Sequence, residues 1–259
     1  MPLPLQVLMP MAGRGERFQL PGQPRRLKPL LELDGQSFVS FSLSSLRPLH
    51  SHETYEQREL FVIRAVDDED KAFSNHLASL SNNAEILRLE EMTRGAAETC
   101  YMAREMMNPE APLMLLDCDM YFESEDFLKA LWSCCQGNFD AEGLLLTFEA
   151  DKPRYSYAEL DKDGVVQRTA EKEVISNHAL AGAYVFAKAR YFLETAAQLL
   201  AEGLEVHPRE LYSSYLFNLL LQRGYKVRSV PSTLHLSYGT PAEWEQCQSF
   251  LSTRKLTPV

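Results

Sequence analysis

Positive charge is scarce in this sequence: 26 Lys and Arg stand against 36 Asp and Glu, a formal net charge of −10 over 259 residues. That balance gives no overall attraction to nucleic acid or to an anionic membrane, so any phosphate must be held by a local group of residues. Cysteine is sparse as well. Cys100, Cys118, Cys134, Cys135 and Cys247 are odd in number and form no CxxC pair, which argues against a disulfide framework or a structural zinc site. A reducing compartment is the simpler expectation. No apolar run approaches the roughly 18 residues of a membrane-spanning helix. The first apolar stretch, Leu3 to Met11, has no basic residue ahead of it and runs into a Gly/Arg segment, unlike a secretory signal. The expected location is the cytoplasm. His50, His52, His76, His178 and His207 form no HxxxH or HExxH pattern, no GxSxG elbow occurs, and no internal or hexapeptide repeat is present.

What is present is an alternation of short apolar runs with helical patterns, the mark of βαβ units and a largely buried parallel sheet. Strands are expected at Gln6–Met11, Glu59–Ala65, Ala84–Leu89, Pro112–Leu116 and Gly143–Glu149. Helices are expected at Phe38–Leu46, Asp67–Leu80, Gly95–Met107 and Glu125–Cys134, with Asp67 and Ser124 as caps. Beyond them, Tyr155–Leu160 and Val165–Ala170 flank Asp161-Lys162-Asp163-Gly164, a hairpin signal. A strand at Ala181–Phe186, helices at Ala189–Ala201 and Pro208–Leu221, a strand at Lys226–Val230 and a helix from Pro241 complete the pattern. Tyr212, Tyr215, Phe217 and Leu220 read as the core stripe of one of these helices. The expected fold is one α/β domain over residues 1–259: a Rossmann-like, mixed and mainly parallel sheet flanked by helices, with a smaller β-hairpin excursion.

The loop after the first strand, Met11-Ala12-Gly13-Arg14-Gly15-Glu16-Arg17-Phe18, carries the sharpest chemical signal. Two alternate glycines let backbone N–H groups point into one concavity that suits phosphate oxygens, and arginines add bidentate donors. A plain turn with solvated arginines is the other reading. Neither the Rossmann GxGxxG nor the P-loop pattern fits here. Downstream, Arg25-Arg26-Leu27-Lys28-Pro29-Leu30 sets three cations before an X-Pro step, which biases Lys28 toward extended chain. Asp117 and Asp119 close an apolar strand, and alternate strand residues share a side, so both carboxylates are placed to face one cation. Hard oxygens of this kind suit Mg²⁺, which keeps few protein ligands beside substrate phosphates.

Taken together, GxGxR…KPL after a first strand resembles the sugar-phosphate nucleotidylyltransferase family. The likeness continues through Thr93-Arg94-Gly95-Ala96-Ala97-Glu98-Thr99, Leu115-Leu116-Asp117-Cys118-Asp119, Tyr155-Ser156-Tyr157 and Ala170-Glu171-Lys172. It ends with Ser176-Asn177-His178-Ala179 through Gly182 and Tyr184, then Gly239-Thr240-Pro241. The resemblance implies that Ala12, Gly13, Arg14, Gly15, Thr93, Gly95, Ala96 and Asp117 face a nucleoside triphosphate. Glu90 and Glu91 are candidate hydrogen-bond partners for its base. Tyr155, Ser156, Glu171, Lys172, Asn177 and Gly182 would hold a sugar 1-phosphate. Arg17, Lys28, Asp119 and Lys172 would be catalytic, with Mg²⁺ on Asp119. Gly95 would let backbone approach the base; a simple helix start at Thr93 is the alternative.

One position departs from the family pattern. Many relatives carry an Asp two residues before the closing glycine, where Ser237 stands, with His235 nearby. The reading is therefore a Mg²⁺-dependent nucleotidyl transfer to a sugar 1-phosphate or similar phosphomonoester, with release of pyrophosphate. A nucleotide-binding regulator of weak activity and a metal-dependent glycosyltransferase are the two alternatives.

Overall fold

A computed structural model describes residues 2–19, 22, 25–207 and 210–254. In chain order the elements are β1 (Leu5–Pro10), β2 (Glu32–Leu33), β3 (Gln36–Ser37), α1 (Phe38–Leu43), β4 (Gln57–Arg64), α2 (Ala72–Leu80), β5 (Glu85–Leu89), α3 (Ala96–Met102), β6 (Leu113–Leu116) and β7 (Met120–Glu123). They continue with α4 (Glu125–Cys135), β8 (Gly143–Glu149), β9 (Ser156–Leu160), β10 (Val166–Glu171), β11 (His178–Phe186), α5 (Ala189–Val206), α6 (Ser213–Gln222), β12 (Val227–Pro231), β13 (Leu234–Ser237) and α7 (Pro241–Thr253).

The main sheet runs β10-β9-β11-β6-β1-β4-β5, and β8 and β12 extend it from β11. Its β6-β1-β4-β5 half is parallel, whereas β11 lies antiparallel to β6 and β8. β1 explains the layering. Leu8 packs into the cluster holding α3, α5 and α6, while Val7 and Met9 pack into the one holding α1, α2 and α4. Successive residues of a strand face opposite sides, so a wholly apolar strand requires helices on both faces. Gln6 is the polar exception, and it is satisfied by a reciprocal pair of hydrogen bonds with the backbone of Asn108, at 3.0 and 2.6 Å.

The expected strands form within about two residues of their predicted ends, a normal margin for such boundaries. Five helix expectations need correction. α1 stops at Leu43 and continues as a 3₁₀ stretch, Ser44–Ser51, containing Pro48, which supplies no N–H for a regular turn. α2 begins at Ala72 and not at Asp67, because Lys71 before it adopts a left-handed φ of 63°. α3 ends at Met102, followed by a separate short turn at Arg104–Met106. α5 runs past Ala201 to Val206, broken at Gly203, where φ is 64°. The helix expected from Pro208 begins at Ser213; Pro208 itself lies outside the described residues. Ser124 does cap α4, accepting from Phe127 N at 3.3 Å. β11 starts three residues early, at His178, and so reaches β9 as well as β6 and β8. Two small pairings escaped the pattern altogether: β2–β3, around Asp34-Gly35 with positive φ at both residues, and β7–β13.

Candidate active site

The carboxyl ends of β1 and β6 open toward one cleft, the side on which open α/β sheets hold ligands. Gly13, Arg14, Gly15, Arg25, Lys28 and Asp67 are among its lining residues. Ala12 is buried beneath the glycine loop, and Gly13 faces open space. Gly15 takes a left-handed φ of 63°, the conformation that the turn requires. Arg25 fixes the loop from below, donating to the Arg14 carbonyl at 3.2 Å and pairing with Asp67 at 2.9 Å. Asp67, expected as a helix cap, is instead this brace, since it also pairs with Arg64 at 2.9 Å. Arg14 is exposed and 3.4 Å from Glu16.

Lys28 meets Asp119 at the centre, Nζ to Oδ2 at 2.7 Å. Lys28 opens a 3₁₀ turn, Lys28–Leu30, closed by Leu31 N to the Lys28 carbonyl at 3.1 Å; the extended residue is Leu27. Burial alone would lower the lysine's pKa, but the charge and hydrogen bond of Asp119 raise it. Burial likewise raises Asp119, and the Lys28 ammonium, with a lesser part from Arg17, holds it below the usual carboxylate range. Asp117 goes the other way. Burial and then the Asp119 charge push it up to about 7.

The strand-alternation argument for these two acids fails. β6 ends at Leu116, and Asp117 and Asp119 lie in the turn before β7 with different surroundings. Asp117 packs against Gly182, whose φ is 81° and whose missing Cβ would fall 2.7 Å from Asp117 Oδ2. Asp119 sits against Gly239, where a Cβ would collide with Oδ2. Gly182 is thus the residue that makes room for Asp117.

Near enough to Asp117 for its charge to be felt there, Glu171 ends β10, and the chain turns at Lys172, whose φ is 56°. Glu171 Oε2 accepts from Ser156 Oγ and from Ser214 Oγ, the latter at 2.8 Å. Lys172 donates to Tyr212 Oη, and its Nζ stands 4.4 Å from that ring's centroid. Both members of the Glu-Lys step are braced by protein. Tyr155 packs edge-on to Phe148 at 5.0 Å. Asn177 contributes its backbone carbonyl to Ala150 N at 3.2 Å.

The loop between β5 and α3 is arranged differently from the expectation. Thr93 Oγ1 bonds Thr99 Oγ1 at 2.6 Å, Arg94 is turned onto Glu98 at 2.6 Å, and Ala96 begins α3. Gly95 does not leave space for a ligand. A Cβ there would lie 2.5 Å from the Leu211 carbonyl oxygen and 2.6 Å from its nitrogen, so this glycine admits the protein's own chain. Thr93 offers α3 no side-chain cap, and the helix starts after Gly95 without one.

The core-stripe reading fails for Tyr212, which lies before α6 and turns toward Lys172, and holds for Phe217 and Leu220, which are fully buried. Two residues, Arg154 and Glu243, went unread in the sequence. Arg154 pairs with the buried Glu243 at 2.7 Å, and Thr240 Oγ1 donates to Glu243 at 2.8 Å, tying the hairpin approach to the closing segment. The Thr-x-x-Glu capping pattern at 240–243 was the available signal for Glu243. His235 stacks on Phe148 at 4.0 Å, its buried Nδ1 has no hydrogen-bond partner among the described residues, and burial lowers its pKa to about 4 against the pull of Asp119, which keeps the ring neutral.

No curated protein sequence matches the chain. Among solved structures it is similar to a nucleoside-diphosphate-sugar pyrophosphorylase from Vibrio cholerae, with a TM-score of 0.76 and 24% identity over 94% of this chain and 99% of that one. It is also similar to an inositol-1-phosphate CTP transferase from T. maritima, with a TM-score of 0.70 and 13% identity over 97% of each chain. A UDP-glucose pyrophosphorylase in complex with UDP-glucose gives a TM-score of 0.71 at 18% identity, over 96% of this chain and 99% of that one. These likenesses establish a shared fold. The nucleotidyl transferase family model matches residues 11–230, from the glycine loop to the strand before the closing segment, and the chain belongs to that family.

Proposed function

We propose that the protein transfers a nucleotidyl group from a nucleoside triphosphate to a sugar 1-phosphate or similar phosphomonoester, releasing pyrophosphate. The observation that carries this reading is the Lys28–Asp119 pair at 2.7 Å, set between the glycine loop and the Glu171–Lys172 turn. Similarity in fold to proteins named for sugar and inositol 1-phosphate chemistry supports the acceptor class. We read residues 1–259 as one catalytic domain, and the burial of all five thiols supports a reducing, cytoplasmic setting.

The acceptor's phosphate oxygen attacks the α-phosphorus, and the bond from that phosphorus to the bridging oxygen breaks. A phosphomonoester has its second pKa near about 6, so the nucleophile is already ionised at neutral pH and no general base is required. The protein's task is alignment and charge neutralisation. The glycine loop and Arg17 hold the β- and γ-phosphates, Lys28 offsets charge on the departing pyrophosphate, and Lys172 holds the attacking phosphate. Among the described residues there is no group of three or more acidic, histidine or cysteine side chains able to cage a metal. Asp119, in the space that Gly239 leaves clear, fits a Mg²⁺ ligand of the kind that shares its ion with substrate phosphates and water. When bound, Mg²⁺ would neutralise developing phosphate charge. Ser237 then needs no acidic replacement.

The test is a matrix of nucleoside triphosphates against sugar 1-phosphates and other phosphomonoesters, read as pyrophosphate release. One or a few pairs are expected to turn over. Nucleotide binding without turnover of any pair would replace this reading with that of a regulator.

A further inference from the structure

We propose that Tyr212 is the positioning residue for Lys172, and that it anchors this cation to the loop between β5 and α3. The inference rests on the reading of Lys172 as the acceptor-phosphate residue only for its consequence in phosphate binding.

Lysine carries a flexible four-carbon stem, so an ammonium must be tethered to wait in one place. Lys172 is tethered twice at its tip: Nζ donates to Tyr212 Oη and stands 4.4 Å from the ring centroid, within cation–π range. Its backbone is fixed as well, in a left-handed turn with its N–H on the Tyr155 carbonyl at 3.1 Å. An ammonium has three donors, and the contact with Tyr212 uses one, leaving others for phosphate oxygens.

Tyr212 is itself held by what precedes it. Leu211 N donates to the Arg94 carbonyl at 2.9 Å, and Ala97 N donates to the Leu211 carbonyl at 3.0 Å. Gly95 permits this approach, because any Cβ there would strike the Leu211 backbone. After Tyr212, Ser214 of α6 holds Glu171, the neighbour of Lys172. A single stretch, 211–214, therefore joins the Thr93–Ala97 loop to both residues of the Glu-Lys turn. The glycine assigned by resemblance to the base acts through this stretch on the Glu-Lys turn.

The experiment compares wild type with Tyr212→Phe, Tyr212→Ala and Lys172→Ala. First, the full-length proteins are treated with limiting N-hydroxysuccinimidyl acetate, and acetylation of each lysine is followed by mass spectrometry. Tyr212→Phe, which keeps the ring and loses the hydroxyl, should raise the Lys172 rate by about fivefold, the weight of one hydrogen bond, with Tyr212→Ala higher still. Lys152 and Lys162 should keep their rates. Second, isothermal titration with inorganic phosphate reads the binding that Lys172 supports. Phosphate affinity should fall in both Tyr212 variants and most in Lys172→Ala, at unchanged nucleotide affinity and thermal midpoint for Tyr212→Phe. Equal Lys172 labelling in wild type and both Tyr212 variants would overturn the proposal. Faster labelling in those variants, with phosphate affinity unmoved in Lys172→Ala, would keep Tyr212 as the anchor of Lys172 and remove the acceptor role.

Discussion

At the scale of single residues, the site depends on two carboxylates that lie two positions apart in sequence and are shifted in opposite directions. Asp119 is held ionised by Lys28, whereas Asp117 is pushed toward its neutral form by burial and by that same ionised neighbour. Asp119→Asn should lower turnover by at least about a hundredfold, the scale seen when one electrostatic contact to a developing charge is lost. It should leave much of the nucleotide affinity in place, as measured by calorimetry beside steady-state pyrophosphate release. Lys28→Ala should likewise lower turnover by at least about a hundredfold, and because the two side chains are only 25% and 24% exposed it should also lower the thermal midpoint by leaving Asp119 unpaired; a lowered midpoint with unchanged turnover would make Lys28 a structural residue. Most of these side chains were legible from residue type and spacing. Their partners were not, since a phenol supplied from forty residues away leaves no mark beside Lys172.

Helix starts show at the scale of elements how local signals mislead. Asp67 and Asp68 stand side by side before α2, and the sequence favours the first as cap. In the fold Asp67 serves the two arginines, and Asp68, wholly buried, takes the helix end by accepting from Ser74 N at 2.8 Å and pairing with Arg88 of β5 at 2.6 Å. Burial raises the Asp68 pKa, but those contacts outweigh it and the net shift is downward. A carboxyl with a depressed folded-state pKa stabilises the fold above its unfolded value of about 4, and that contribution is lost as pH falls toward the folded value. Asp68→Asn should therefore cost about 3 kcal/mol at pH 7, the scale of a broken buried pair, with the gap narrowing below about pH 4. Urea titrations at pH 7, 5, 4 and 3 measure that gap, and a constant gap would show that ionisation of Asp68 contributes nothing. The long apolar strands were readable because an uninterrupted apolar run, buried on both faces, is visible in the strand alone. Two-residue pairings such as β2–β3 carry too little pattern to stand out.

For the whole molecule, the main sheet and its flanking helices follow from the alternation of runs, but the closure of the chain on itself does not. β13 pairs with β7 across more than a hundred residues, and Tyr238, fully buried, contacts Ser42 at 2.7 Å and the Met120 carbonyl at 2.8 Å. Phe38 and Phe41 pack against the same ring, at 4.6 and 5.8 Å. A chain ending at Pro231 keeps β12 yet leaves those aromatics uncovered; it should bind a hydrophobic dye and lose cooperative unfolding, whereas Tyr238→Phe should fold and cost about 1 to 3 kcal/mol. Dye binding equal to that of the full chain would show that the earlier elements close without it. This late closure also has a meaning in time. Loop-closure entropy must be met before distant contacts repay it, so a chain that joins Ser42 to Tyr238 is a slow folder by topology. On the ribosome the glycine loop is made more than two hundred residues before Tyr238, so the aromatic cluster beside it stays open until that residue has emerged. Throughout that interval the cluster presents apolar surface of the kind that makes folding intermediates prone to aggregate.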